Sequence, residues 1–267
     1  MNVSELAQSV SRAAWCQMLI DTADPTVADP RLPGLPSEAL QKVTNNVAGA
    51  VTLRAAALLY ENVADLLARH APGVTAPNVM APKILDFGCG WGRVARFLPQ
   101  LTAVENIYGT DVDARLIASC QAFLHAPNYA VMTSGAALPY PDALFDVVLS
   151  NSVFSHLSEA SHRFHVGEIA RVLKPGGLFL GSVLSEALMT QMYKVNTGWI
   201  TGVTGPRAEA EAALARGEFV YGSTGRWTDY GIAFVPDGWT HANWAPALQV
   251  IDQVEGTQQI NIARRQS

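Results

Sequence analysis

The sequence has few cysteines, few charged residues and no long apolar run. Its 267 residues include three cysteines, Cys16, Cys89 and Cys120, whose wide separation excludes a disulfide framework and fits a reducing, cytoplasmic location. The cysteine spacing also matches no zinc motif, and no pair of histidines stands near other metal-ligating residues in the sequence, so no metal site is expected. No apolar stretch reaches the ~18 residues of a membrane-spanning helix, and no signal-peptide core stands out, so we expect no membrane association.

Composition and charge exclude two further classes of protein. Hydrophobic residues make up 49% of the chain and charged residues 15%, which indicates a globular protein and not a disordered one. The net charge is −5, from 18 basic and 23 acidic residues. Because an acidic chain repels polyanions, we expect no nucleic-acid partner.

The first part of the chain, residues 1–80, predicts a helical N-terminal cap. Apolar residues at helical spacing predict one amphipathic helix over residues 1–24. Pro25, Pro30, Pro33 and Pro36 then interrupt regular structure, and a second helical stretch follows over about 37–70.

Short apolar strands alternate with helices in the predicted core, residues 81–184 and 229–267, and this alternation predicts a parallel sheet with helices on both faces. The expected strands are 83–87, 105–110, 129–132, 145–150, 178–184, 248–254 and 259–263, and the expected helices of the core are 93–98, 113–124 and 161–173. A further small helix is expected outside the core, over 207–216. Residues 185–228, rich in glycine and large aromatic side chains, predict an inserted lid over the substrate. The alternative is that these aromatics only fill a small hydrophobic cluster.

The sharpest motif is a glycine-rich turn after the first strand of the core, Asp86-Phe87-Gly88-Cys89-Gly90-Trp91-Gly92. Glycines let the backbone approach a ligand closely. The G-x-G-x-G spacing differs from the G-x-G-x-x-G of nicotinamide and flavin folds. A carboxylate at Asp86 suits a ligand with an ammonium group better than a pyrophosphate, although Asp86 could instead cap the helix that follows.

Two acidic residues follow the second predicted strand. Asp111 stands at the carboxyl end of that strand, where an acid can accept hydrogen bonds from both hydroxyls of a ribose. Asp113 stands directly before the next predicted helix, and we expect it to cap that helix.

Two more segments complete a recognisable set, Ser134 to Val148 and Glu168 to Leu178. Together with the glycine-rich turn and the Asp111 segment, in this order and spacing, they resemble the class I S-adenosylmethionine-dependent methyltransferases over residues 83–184. The resemblance implies an α/β, Rossmann-like, doubly wound fold with a mostly parallel seven-stranded sheet, in the order 3-2-1-4-5-7-6 with the last strand antiparallel. Here the helical cap and the inserted lid are added to that core.

The resemblance also implies S-adenosyl-L-methionine as cofactor and assigns its contacts. Asp86 is expected near the ammonium group, the turn around the methionine part, Asp111 on the ribose, and Val112 on the adenine. The full predicted set is Asp86, Gly88, Cys89, Gly90, Asp111, Val112, Ser134, Gly135, Ala136 and Asn151. Ser134 departs from the family, which usually has an Asp to accept from the adenine amino group, so a weaker cofactor affinity is expected.

The segment Asn151-Ser152-Val153-Phe154 bears on the acceptor. Methyltransferases that act on base amino groups in nucleic acids share an Asn- or Asp-Pro-Pro-aromatic box at this place, and this chain lacks both prolines. The lack of this box, the net negative charge and the aromatic, glycine-rich predicted lid favour a small, partly apolar acceptor of the secondary-metabolite or sugar type. Methylation at oxygen is expected only because it is common among such enzymes. Two alternatives remain, a non-catalytic module that binds S-adenosylmethionine and a nicotinamide-dependent oxidoreductase, and the oligomeric state is open.

Candidate catalytic and substrate residues lie beyond the fourth strand and in the lid. His156 is the candidate general base, the alternative being a packing role beside the cofactor, and His241 is a second candidate. The predicted substrate-binding side chains are Tyr193, Trp199, Trp227 and Tyr230. His162 and His165 are expected to face solvent.

Overall fold

The computed structural model describes residues 2–27, 29–75, 82–124, 128–225 and 230–266. Its contacts divide the chain into two units, Met1–Met132 and Thr133–Ser267, which we describe in turn. Within the described ranges no helix has the length and apolarity needed to cross a membrane.

The described helices of the N-terminal part of the first unit are α1 (Val3–Ser9), α2 (Arg12–Asp21), α3 (Glu38–Asn45), α4 (Gly49–His70) and α5 (Pro72–Thr75). The prediction of one helix over residues 1–24 is wrong, because Ser11 caps a new helix by accepting from the Ala14 N–H. The predicted stretch over 37–70 is also two helices, since Asn46 takes the left-handed conformation that ends α3.

The α/β part of the first unit comprises β1 (Ile84–Phe87), β2 (Ile107–Asp111), α6 (Ala114–Phe123) and β3 (Tyr129–Val131). The three strands pair in parallel, with Ile84 opposite Ile107 and Gly109 opposite Tyr129. The helix predicted over 93–98 is instead a 3₁₀ helix over Ala95–Gln100. It stays short, because Pro99 lies inside it and has no N–H to donate.

The helical cap packs on residues that belong to the glycine-rich motif itself. Trp91 forms a buried cluster with Leu53 of α4 and Leu116 of α6, and apolar side chains from α2 and α3 cover this cluster. The guanidinium of Arg96 lies 4.7 Å from the Trp91 ring centroid and donates to the Gly34 carbonyl. The motif therefore fixes the position of the cap within the first unit.

The second unit contains β4 (Phe145–Ser150), α7 (Glu159–Val172), β5 (Leu173–Val183), α8 (Glu186–Val195), α9 (Thr197–Thr204), α10 (Arg207–Ala215), β6 (Val220–Ser223), β7 (Gly231–Phe234), α11 (Trp239–Trp244), β8 (Leu248–Val254) and β9 (Gln259–Arg265). Strand β4 pairs in parallel with β5, β9 is antiparallel to β5, and β8 is antiparallel to β9.

The order of the seven-stranded sheet is β3-β2-β1-β4-β5-β9-β8. Counted along the chain without β6 and β7, this is the predicted order 3-2-1-4-5-7-6, and the last strand of the chain is the antiparallel one. The predicted Rossmann-like α/β fold is confirmed.

Residues 185–234, which we call the inserted segment, form α8, α9, α10 and the β6–β7 pair. Their apolar side chains have a core of their own, which includes Met189, Tyr193, Ile200 and Phe234. Strand β7 lies beyond the boundary predicted at residue 228 and pairs with β6 rather than with the large sheet. The segment is therefore a packed substructure and not a glycine-rich loop.

The expectation that His162 and His165 face solvent is wrong, because both side chains are buried on α7. The Nε2 atom of His162 accepts a hydrogen bond from the indole Nε1 of Trp244 at 2.9 Å, and the Trp239 ring packs against its edge. Burial, with smaller effects from Arg163 and His165, lowers the pKa of His162 to about 3. His162 is therefore a neutral core residue.

Candidate cofactor and acceptor site

The backbone of the glycine-rich turn requires glycine at two positions. Gly90 has a φ of 58°, and a Cβ there would lie 2.9 Å from Cγ2 of Thr44. Gly92 has a φ of 78°, and a Cβ there would lie 2.2 Å from Cδ1 of Leu124. Any side chain at either position would be both strained and in collision. Glycine at these two positions therefore lets the turn pack closely against Thr44 and Leu124.

The N–H groups of this turn are already bonded within the first unit. Those of Gly88 and Cys89 donate to the Thr110 carbonyl, and that of Gly90 donates to Oδ2 of Asp111 at 2.9 Å. The buried thiols of Cys89 and Cys120 donate to the Gly90 carbonyl. The N–H groups of Gly88, Cys89 and Gly90 are therefore used within the protein. These residues can contact a ligand by close approach of the backbone and not as unused N–H donors.

Asp111 joins the turn to the start of α6. Its Oδ2 accepts from Gly90 and its Oδ1 accepts from the Asp113 N–H at 2.9 Å. A carboxylate oxygen can accept two hydrogen bonds, so the group retains the capacity to accept from ribose hydroxyls. Asp113 caps α6 as predicted, by accepting from the Arg115 N–H. The neighbouring Val112 side chain is 46% exposed, as a surface for adenine packing requires.

Asp86 is a buried carboxylate whose Oδ2 has no hydrogen-bond partner. Burial raises the pKa of Asp86 to about 7, Arg93 acts in the opposite direction, and Asp111 raises it further. The alternative role as a helix cap has no support, because the turn leads into the 3₁₀ helix and not into an α-helix. A buried carboxylate is expensive without a cationic partner, so Asp86 fits the ammonium group of a ligand.

The second unit carries the other predicted cofactor residues in two loops. Ser134, Gly135 and Ala136 lie in an exposed turn that is closed by a hydrogen bond from the Ala136 N–H to the Thr133 carbonyl. Asn151 is partly buried and directly follows β4, and Ser152 after it has a φ of 62°. A left-handed serine at this place is strained, and such strain tends to occur at functional sites.

The contacts of His156 fix its tautomer. Its Nδ1 lies 2.8 Å from the carbonyl oxygen of Gly231, and its ring stacks on Tyr230 with centroids 4.5 Å apart. Because a carbonyl can only accept, Nδ1 carries the proton, and the neutral ring keeps the lone pair on Nε2. Burial lowers the pKa of His156, with the Gly231 bond acting against it. The arrangement suits a neutral base. The His156 ring also has a packing contact within the protein, with Tyr230.

The remaining predicted residues differ in environment. Trp199 on α9 is 46% exposed, and Tyr230 is 36% exposed and stacks on His156. Tyr193 is buried, and its hydroxyl donates to the Gly205 carbonyl, which favours a packing role. His241 is exposed on α11, and Trp227 lies outside the described residues.

No group of three His, Cys, Asp or Glu side chains suited to a metal ion occurs in the described part of the chain.

Residues 85–181 match the protein family described as a methyltransferase domain. A fatty-acid O-methyltransferase of Mycolicibacterium smegmatis is 35% identical over 104 residues, which are 39% of this chain and 37% of that protein. Ribosomal RNA small subunit methyltransferase C of Shewanella loihica is 30% identical over 120 residues, 43% of this chain and 33% of that protein. A solved protein structure from Pyrococcus horikoshii superposes with a TM-score of 0.53 at 17% identity, over 77% of this chain and 89% of that one.

The match over residues 85–181, the sheet order and the glycine-rich turn after β1 support a class I S-adenosylmethionine-dependent methyltransferase domain in this part of the chain. The match decides against the nicotinamide alternative. The chain spans about a third of the length of the two curated relatives, which differ in acceptor. The similarity therefore identifies the domain and leaves the acceptor open.

Proposed function

We propose that this protein transfers a methyl group from S-adenosyl-L-methionine to an oxygen of a small-molecule acceptor, of the secondary-metabolite or sugar type. The observation that carries the proposal is Oδ2 of Asp86, which is buried and has no hydrogen-bond partner. Asp86 lies two residues before the first glycine of the glycine-rich turn. When bound, the cofactor supplies an electrophilic methyl group on a sulfonium and an ammonium group that matches this carboxylate.

The residues around the turn divide the work of binding. Asp86 pairs with the ammonium group, and Gly88, Cys89 and Gly90 let the backbone approach the methionine part. Asp111 accepts from the ribose with the lone pairs that its backbone contacts leave. Val112 packs on the adenine, with Ser134, Gly135 and Ala136 along its edge, and Asn151 approaches the sulfonium end.

His156 acts as the general base in this proposal. A hydroxyl acceptor must lose its proton as the methyl group transfers, and a neutral imidazole with its lone pair on Nε2 is suited to take it. The Gly231 carbonyl holds the proton on Nδ1 and thereby keeps Nε2 unprotonated. His241 is the second candidate, although its exposure gives it no comparable constraint.

The inserted segment contributes to the acceptor site. Its strand β7 contacts the loop after β4 through hydrogen bonds from Gly231 to the His156 carbonyl and from Ala233 to the Ser155 carbonyl. Tyr230 and the exposed Trp199 offer aromatic surface, which favours a partly apolar acceptor. The similarity to a fatty-acid O-methyltransferase supports methylation at oxygen. The absence of nucleic-acid and membrane partners and the cytoplasmic location stay predictions.

The test begins with calorimetric titration of S-adenosyl-L-methionine into wild type and Asp86→Asn. Loss of a charged hydrogen bond of about 1.5–3 kcal/mol corresponds to roughly 10–100-fold weaker binding. Asp65→Asn is the matched control, because Asp65 is an exposed acid of the same unit that pairs with Arg12. Equal affinity in wild type and Asp86→Asn would overturn the assignment of the ammonium site.

The acceptor class is tested with methyl-labelled cofactor and three sets of acceptors. Hydroxylated small molecules should take up label, whereas ribosomal RNA should not. Label on free fatty acids but not on hydroxyls would replace the hydroxyl acceptor by a carboxylate. Tight cofactor binding with no transfer to any set would favour a non-catalytic binding module, to which the uncharged Ser134 also points.

A further inference from the structure

The loop after β4 holds a non-glycine residue in a strained conformation next to a predicted cofactor contact. Ser152 has a φ of 62°, in the left-handed region that side chains disfavour. It directly follows Asn151. A strained residue persists only where surrounding contacts hold it in place.

Three hydrogen bonds form a closed ring around Ser152. Its N–H donates to Oγ of Ser182 on β5 at 2.7 Å. The Ser182 hydroxyl donates to Oε1 of Gln258 at 2.7 Å, and Nε2 of Gln258 returns to Oγ of Ser152 at 2.9 Å. Both the backbone and the side chain of Ser152 are thereby fixed by one amide group.

Each group in the ring has a complementary donor or acceptor role. Ser182 accepts from a backbone N–H and donates its own proton to the Gln258 carbonyl oxygen. The amide nitrogen of Gln258 is then the donor to Ser152. Ser182 is buried and Gln258 lies between β8 and β9, so the ring ties three separate parts of the second unit together.

We infer that this ring is a positioning device that holds the loop after β4 in the conformation in which Asn151 contacts the cofactor. Gln258 is its positioning residue and acts through Ser152. The inference rests on the proposed function for the place of Asn151. Without the amide of Gln258, Ser152 would relax to a negative φ and Asn151 would turn away.

The experiment compares cofactor affinity in five variants by calorimetry, with S-adenosyl-L-methionine as the titrant and without any acceptor. Gln258→Ala should weaken binding about tenfold, and Asn151→Ala should also weaken it. Ser152→Gly alone should bind like wild type, because glycine takes a positive φ at no steric penalty. The double variant Gln258→Ala/Ser152→Gly should recover to within about threefold of wild type. The matched control is Gln249→Ala, an exposed glutamine of β8 whose side-chain oxygen accepts from the Gln266 amide.

Recovery of cofactor affinity in the double variant separates a positioning role of Gln258 from a general loss of stability. The unfolding temperature of each variant is measured alongside. Unchanged affinity in Gln258→Ala, or a double variant as weak as Gln258→Ala, would overturn the inference. Wild type that does not bind the cofactor would contradict the proposed function itself. Weak binding by Asn151→Ala with normal binding by Gln258→Ala would overturn the ring alone.

Discussion

Two buried polar side chains, one in the glycine-rich motif and one in the inserted segment, have opposite surroundings. Asp86 leaves Oδ2 without a partner, whereas the Tyr193 hydroxyl donates to the Gly205 carbonyl and also bonds Thr204. A buried carboxylate oxygen without a hydrogen-bond partner is costly, which makes Asp86 a candidate ligand contact. The Tyr193 hydroxyl has its partners within the protein, which favours a packing role. The difference separates a binding motif from a structural one where sequence alone suggested ligand contact for both.

Two of the four histidines of the second unit, His156 and His162, show the same contrast. The lone pair of His162 is used by the Trp244 indole, so this ring cannot serve as a base. The Gly231 carbonyl uses the proton of His156 and leaves its lone pair on Nε2. The lower pKa of both rings follows from burial, but only His156 keeps a basic atom for chemistry.

The largest expected effect tests this contrast between the histidines. His156→Gln should lower the turnover number at least ~100-fold, because glutamine cannot take up a proton, and should leave cofactor affinity intact. The wild-type acid limb should lie below pH 6.5, since burial lowers the pKa of His156 from that value, and it should vanish in the variant. Steady-state kinetics against pH is the measurement. Turnover within a few-fold of wild type would make His156 a packing residue.

The second effect concerns Asp111. Asp111→Ala removes a charged acceptor of the ribose hydroxyls and should weaken cofactor binding by about 1.5–3 kcal/mol. It also removes the contacts to Gly90 and Asp113, so the unfolding temperature should fall as well. Calorimetry on the folded fraction measures the affinity, and Asp142→Ala, an exposed acid, is the control. Wild-type affinity in a folded variant would refute the ribose assignment.

A smaller expected effect concerns the stability of the unliganded protein and tests whether Asp86 lacks a partner there. The pKa of Asp86 is raised from 3.8 to about 7 in the folded protein, so the fold binds this proton more tightly than the unfolded chain does. The stability of wild type should therefore fall as pH rises from about 4 through 7. Asp86→Asn has no such loss.

Without cofactor, the unfolding temperature of Asp86→Asn should exceed that of wild type by a few degrees at pH 8, at about 2–4 °C for each kcal/mol. This difference should shrink toward pH 4. Thermal unfolding followed by circular dichroism across this range is the measurement. A pH-independent difference would show that the carboxylate already has a partner in the unliganded protein.

The smallest effects compare Tyr193 with Trp199. Tyr193→Phe removes the hydroxyl that bonds Gly205 and should lower the free energy of unfolding by about 1 kcal/mol without changing the acceptor Michaelis constant. Trp199→Ala, at an exposed position, should change stability by less than about 0.5 kcal/mol but raise that constant. Denaturant unfolding measures the free energy of unfolding, and steady-state kinetics measures the acceptor Michaelis constant. The reverse pattern would exchange the packing and substrate roles of the two side chains.

Local sequence signals and the family resemblance predicted much of the fold. The strands followed from short apolar runs that alternate with helices, their order followed from the resemblance, and the Gly90 turn and Asp113 cap followed from backbone preferences. The helices were less predictable. Ser11 interrupts a continuous apolar pattern by capping, which periodicity alone does not register.

The inserted segment was the least predictable region. Its glycines and aromatics suggested a lid with one small helix, whereas α8, α9 and α10 bury a shared core with β6 and β7. Tyr193 is aromatic in either case, and only the packing around its hydroxyl distinguishes a core residue from a ligand contact.

The sequence by itself determined the glycine turn, the acids beside it and the alternation of strands and helices, because these depend on steric limits and hydrogen bonds between near neighbours. Tertiary structure decided which side chains have partners. Trp244 meets His162 across 82 residues, and Gln258 meets Ser152 across 106. Such contacts arise when distant segments pack in one unit, and no local pattern encodes them. They are what make His162 part of the core and hold Ser152 in its left-handed conformation.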